Sequence, residues 1–178
     1  IAAAAMHEGY LIEMIEGKIA AEYQLDSYSG IGMDSFYSYY NRIKRYLPKE
    51  FGEGKNFRVN GEAINEASDR VKTVLFRTNQ DMLLAFGALL KYHYNLAVVK
   101  SREYGINASK DEKLKMGYMF YNSRDPEPEI MKGMNYINQM IKTSDGLLYT
   151  NIRMIFETYN NFRSSSIFKE NSEVTANH

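Results

Sequence analysis

Apolar residues recur at helical spacing along nearly all of this chain, and that pattern restricts the fold more than any other feature. Only residues 57–59, set between glycine-rich segments, have even weak strand character. The expected class is therefore mainly α, a helical domain with at most a short hairpin. A first helical region is expected over 1–22, broken at Gly9 or Gly17, followed by a Ser- and Gly-containing loop over 25–34. Residues 35–47 read as a helix that stops before Pro48. After an irregular stretch over 51–61, helices are expected over 62–75 and 79–100. Ser109-Lys110-Asp111-Glu112 has capping-box spacing, because the serine can accept from a first-turn N–H while the glutamate reaches back to the cap. A helix should begin there and run to Tyr121. Pro126 and Pro128 mark the next helix start, and helices over 129–142 and 147–162 complete the set. The domain is expected to span 1–163, with 164–178 as a polar extension or linker.

At 178 residues the chain fits one domain, since single cores commonly span roughly 100 to 200 residues. Hydrophobic residues make up 44% and charged ones 25%, the profile of a packed protein rather than a disordered one. Lys plus Arg (22) balance Asp plus Glu (22), so no global field draws nucleic acid or an anionic membrane. The longest apolar runs, such as 82–90 with Gly87 inside it, fall short of the roughly 20 residues of a membrane span. A soluble chain without a membrane span is expected. Cysteine is absent, which removes disulfides, thiol catalysis and thiolate metal sites together. His7, His93 and His178 have no ligand spacing with nearby acids, so neither a metal nor another cofactor is expected. His93 reads as a helix-face or core histidine. There is no Gly-x-x-x-x-Gly-Lys phosphate loop and no Gly-x-Ser-x-Gly nucleophile turn. The first residue is Ile1 rather than Met, so the sequence is expected to be a piece of a longer polypeptide or particle component.

Three constellations could carry chemistry. In Ile1-Ala2-Ala3-Ala4-Ala5-Met6-His7-Glu8-Gly9, small residues lead to a carboxyl group and then a glycine. An apolar wall raises a carboxyl pKa and keeps it protonated, which is what a proton donor to a leaving oxygen requires. In Asp26-Ser27-Tyr28-Ser29-Gly30-Ile31-Gly32-Met33, paired glycines permit a tight loop whose backbone amides can approach a ligand. Tyr121-Asn122 brings a hydroxyl and an amide to the end of the helix begun at Ser109. Taken alone, the first is more often a solvated helix residue and the second a plain turn, and the third says almost nothing without context.

In order and company the three pieces resemble the goose-type lysozymes and the related soluble lytic transglycosylases, which share a lysozyme-like fold. Residues 1–9 are similar to that family's catalytic helix, Asp26 through Met33 to its Gly-x-Gly-Leu-Met-Gln loop, and residues 109–122 to its lysine-rich helix ending in Tyr-Asn. The resemblance covers residues 1–142. It implies cleavage of the β-1,4 bond between N-acetylmuramic acid and N-acetylglucosamine in peptidoglycan. Glu8 would be the general acid and base, and Asp26 the accessory carboxylate. Gly30, Ile31, Gly32 and Met33 would form the floor of the sugar groove, with Tyr121 and Asn122 facing the glutamate. Peptidoglycan glycan strands would be the partner, and the location periplasmic or extracellular, or within a phage particle.

The sequence departs from the family in two places. Asp34-Ser35 follows the Gly-x-Gly-Met stretch where a glutamine is usual, and Ser123-Arg124-Asp125 follows Tyr-Asn where a small Ala-Gly pair is common. Glu16, followed by Gly17, offers an alternative catalytic acid with shorter spacing to the loop. Glu8 is preferred because its upstream residues are small and apolar, whereas Glu13 lies one helical turn before Glu16. Both hydrolysis and lytic transglycosylation stay open, the second needing only one dependable acid. The alternative outside enzymes is a non-catalytic lysozyme-like module of a phage virion or cell-envelope assembly. The basic pieces Arg42-Ile43-Lys44-Arg45 and 110–115 read as solvated helix faces, or as contacts to acidic stem peptides.

Overall fold

The computed structural model describes residues 33–60, 73–123 and 125–164. Helix α1 spans Met33–Ile43 and tightens into a 3-10 turn, Lys44–Tyr46. Leu47 then takes an extended conformation (φ −99°, ψ 157°), as the ring of the following Pro48 demands. Met33 and Asp34 belong to α1 rather than to the expected loop.

Strands β1 (Phe57–Asn60) and β2 (Thr73–Phe76) form one antiparallel pair with Phe57 opposite Phe76 and Val59 opposite Val74. Phe57, Val74 and Phe76 are buried, so the period of two turns one face of the ribbon into the core. This corrects the helix expected over 62–75: its last three residues are strand. Thr73-Val74-Leu75-Phe76 is rich in residues that fit a pleated, half-buried surface, and pairing with Phe57 overrides the helical spacing. The aromatic rings converge here, with Phe36 of α1 edge-on to Phe57 and Phe76 at 5.2 and 5.1 Å between centroids.

Helix α2 (Asn79–Glu103) is the centre of the fold. Its N-cap is Thr78, whose hydroxyl oxygen accepts from the Asp81 N–H at 3.1 Å. The buried Asp81 carboxyl accepts in turn from the Asn56 amide at 2.7 Å and the Thr78 hydroxyl at 2.8 Å. Asn56 also receives the Gly52 N–H on its side chain and the Arg77 N–H on its carbonyl. One side chain thus ties the loop before β1 to the start of α2. Met82, Ala85, Phe86, Leu89, His93 and Ala97 are buried along α2 at helical spacing. Over Gln80–Glu103 this helix is long and apolar enough to cross a membrane by length and composition, with a mean hydropathy of 1.3.

Helix α3 (Lys110–Asn122) opens on the expected capping box: the Ser109 hydroxyl accepts from the Glu112 N–H, and the Glu112 carboxylate accepts from the Ser109 N–H at 2.8 Å. It lies against α2, where Gly117 lets the two backbones approach. A methyl group on Gly117 would meet Tyr94 Cα at 3.0 Å and Tyr94 N at 3.1 Å. Two helices, α4 (Glu127–Met131) and α5 (Met134–Thr143), stand where a single helix over 129–142 was expected. The break is Gly133, whose φ of 87° no helix interior accommodates and few side chains tolerate. Pro128 sits in the first turn of α4, where the N–H it lacks has no helical partner. Helix α6 spans Leu147–Ser164 and so takes in the first residue expected to belong to the polar tail. Arg153 on α6 donates to the carbonyls of Lys142 and Ser144, closing the C-terminal end of α5. One continuous cluster of buried residues runs from Phe36 to Ile155, and among the described residues the fold is mainly helical with a single short hairpin.

Candidate functional site

A pocket of about 480 Å³ opens where α1, α2, the end of α3 and the start of α4 meet. Tyr39 comes from α1, and His93 and Leu96 from α2. Phe120, Tyr121 and Asn122 end α3, and Ser123, Asp125, Pro126 and Glu127 carry the wall into α4. The volume is within the ordinary range of small-molecule sites, roughly 300 to 1,000 Å³. Tyr121 and Asn122, the pair expected to face a ligand, are both in this wall. Local sequence accounts for their position. The capping box fixes where α3 begins, and Ser123 takes an extended conformation (φ −123°, ψ 140°) immediately after Asn122. The close approach at Gly117 lies one helical turn before Tyr121 and brings that ring to the α2 side.

His93 is the residue that sequence reading missed as a site component. It is a core histidine as expected, 3% exposed, yet it also lines the pocket. Three tyrosines box the imidazole edge-on: Tyr39 and Tyr92, each at 5.2 Å between ring centroids, and Tyr121 at 5.9 Å. Its Nδ1 is buried with no hydrogen-bond partner among the described residues. Burial disfavours the imidazolium and lowers its pKa from 6.5 to about 4, so the ring is neutral at pH 7. Nothing local in the sequence marks this role, because the box is built from α1, α2 and α3 together. Tyr121 is fixed further by Phe86 and Tyr118, at 5.9 and 5.6 Å. The Arg42 guanidinium lies 5.5 Å over the Tyr39 ring, so this part of the basic stretch 42–45 flanks the pocket wall rather than standing apart from it.

At the opposite lip, Glu127 accepts a hydrogen bond from the Tyr104 hydroxyl and pairs with the Lys100 ammonium at 3.1 Å, which also pairs with Glu103 at 3.0 Å. The Tyr104 hydrogen bond, then Lys100, lowers the Glu127 pKa. Glu127 is therefore ionised near neutrality and has no proton to give. A second depression, of about 540 Å³, lies over the capping box beside Ser109, Lys110, Asp111 and Tyr159. Its Ser109 hydroxyl is engaged with Glu112, and Glu112 also accepts from the Asn138 amide of α5 at 2.9 Å. Lys115 is likewise no free solvated cation: it donates to Asn138 at 2.9 Å and lies over the Phe156 ring.

The expected residues Glu8, Glu16, Asp26, Gly30, Ile31 and Gly32 lie outside the described residues, as do His7, Arg124 and His178. Met33 is in helix α1, with its side chain outside the described ones. Among the described residues no group of three His, Asp or Glu side chains could hold a metal ion. Comparison with family models, with curated proteins and with solved structures returns no match.

Proposed function

We propose that this chain cleaves the β-1,4 bond between N-acetylmuramic acid and N-acetylglucosamine in peptidoglycan, with Glu8 as general acid and then base. The observation that carries this reading is the pocket wall formed by Tyr121 and Asn122, the pair that the lysozyme-like resemblance assigns to the neighbourhood of the catalytic glutamate. The pocket's make-up suits a saccharide: rings from Tyr39, Phe120 and Tyr121 offer apolar faces, and Asn122, Ser123 and His93 offer neutral hydrogen-bonding groups.

The proposed acid comes from another segment, and Glu127, held ionised, does not compete for the role. Glu8, after a run of small apolar residues, is the proposed donor, with Glu16 as the alternative and Asp26 as accessory carboxylate. Protonation of the glycosidic oxygen releases the leaving sugar as positive charge develops at the anomeric carbon. The muramyl 6-hydroxyl then attacks, giving an anhydro product, or water attacks and gives a reducing end. The first route needs one dependable acid and is preferred. Such an enzyme acts outside the cytoplasmic membrane, in the periplasm or extracellular space, or from a phage particle.

The test is digestion of purified sacculi by wild type, Glu8→Gln and Glu16→Gln, with mass spectrometry of the released muropeptides. Anhydro-muramyl products lost only in Glu8→Gln are expected. Reducing-end products would make it a hydrolase, and loss only in Glu16→Gln would move the acid. A folded wild type that releases nothing from several peptidoglycan types would overturn catalysis in favour of a non-catalytic lysozyme-like module. The Asp34-Ser35 departure is the feature that favours that second reading.

A further inference from the structure

We propose that His93 is a specificity-determining residue of the pocket, its unpaired imidazole nitrogen receiving the acetamido N–H of an N-acetylated sugar. The inference rests on the saccharide reading above and adds the group that would select the sugar. An unpaired buried polar atom weakens a fold, and each such atom in a native core calls for an explanation. A phenyl ring would fill the same box of Tyr39, Tyr92 and Tyr121 without leaving Nδ1 unsatisfied. An imidazole at this place therefore weakens the fold unless something bonds to it.

The surroundings narrow what that is. A neutral imidazole offers one acceptor nitrogen. Asp125 and the ionised Glu127 in the same wall disfavour an anionic ligand. An acetamido group pairs a donor N–H with a methyl, which matches an acceptor nitrogen set among aromatic rings. Nδ1 is closed to solvent, so the ligand meets it only after a half-turn about Cβ–Cγ that exchanges Nδ1 with Cδ2, and Nδ1 gives up no hydrogen bond in that turn.

The experiment titrates the 178-residue chain with the tetramer of N-acetylglucosamine and with cellotetraose, by calorimetry and by ¹⁵N spectroscopy of the histidine rings, in wild type, His93→Phe and His93→Asn. Wild type is expected to bind the N-acetylated tetramer about tenfold tighter than cellotetraose, the effect of one satisfied buried hydrogen bond. The His93 Nδ1 resonance should shift on saturation with the N-acetylated tetramer. His93→Phe should unfold at a higher temperature and lose the preference, and His93→Asn, whose amide lies near the Nδ1 position, should recover part of it. An unmoved Nδ1 resonance at saturation, a reading that needs no substitution, overturns the role of His93 alone. So does an undiminished preference in folded His93→Phe. Binding of neither tetramer by wild type overturns the glycan reading together with it.

Discussion

The cost of keeping His93 uncharged is measurable as pH dependence. Its folded pKa of about 4 lies below the ordinary 6.5, so between these values the unfolded chain binds the proton and the folded chain does not. The stability that depends on a neutral ring is complete above pH 6.5 and is lost as pH falls toward 4, by on the order of 3 kcal/mol. Urea titrations at pH 7.5, 6, 5 and 4.5 should show that decline in wild type and a flatter profile in His93→Phe; parallel profiles would place the acid sensitivity elsewhere. Carboxylates such as Glu112 and Glu127, whose pKa values are lowered from 4.5, begin to lose their contribution as pH falls through 4.5, at the bottom of this window. The burial of His93 was legible in the sequence, because it falls on the helical stripe of Phe86, Leu89 and Ala97. Its place in a pocket was not, because Tyr39 and Tyr121 lie 54 and 28 positions away and no local pattern records their convergence.

Among the elements, α3 was the most legible because its start is decided within four residues. Ser109→Ala removes an exposed cap and should lower stability by about 1 kcal/mol. Glu112→Ala should cost more, since that carboxylate also accepts from Asn138 of α5. A double-mutant cycle between Glu112→Ala and Asn138→Ala should return a coupling energy above zero, and strict additivity would exclude the link. The break between α4 and α5 escaped because the apolar spacing over 129–142 continues through Gly133, and only the backbone angle reveals the interruption. Gly133→Ala has open space for its methyl and no tolerated backbone conformation, so a loss of about 1 kcal/mol is expected in thermal unfolding, with Gly133→Asn milder. Strand β2 escaped for a different reason: residues 73–76 become strand by pairing with 57–60, and that partner is distant in sequence.

At the scale of the molecule, the hairpin and the helical layer are joined through Asn56. Asn56→Ala leaves the buried Asp81 carboxyl without one of its donors and the Gly52 N–H without its acceptor, and should cost about 2 to 3 kcal/mol. The denaturant midpoint should fall with an unchanged slope; an intact midpoint would mean the hairpin contributes little to the whole. The mainly helical class and most element positions followed from spacing along the chain, whereas the site required three separated segments to meet. Gly117 holds a further consequence. The hydrogen it carries in place of a methyl acts as a spacing gauge between α2 and α3, against the backbone of His93 and Tyr94 and one helical turn before Tyr121. Any larger side chain there pushes against the Tyr94 backbone, which cannot swing aside, so the aperture of the pocket is calibrated by a residue that never touches its contents.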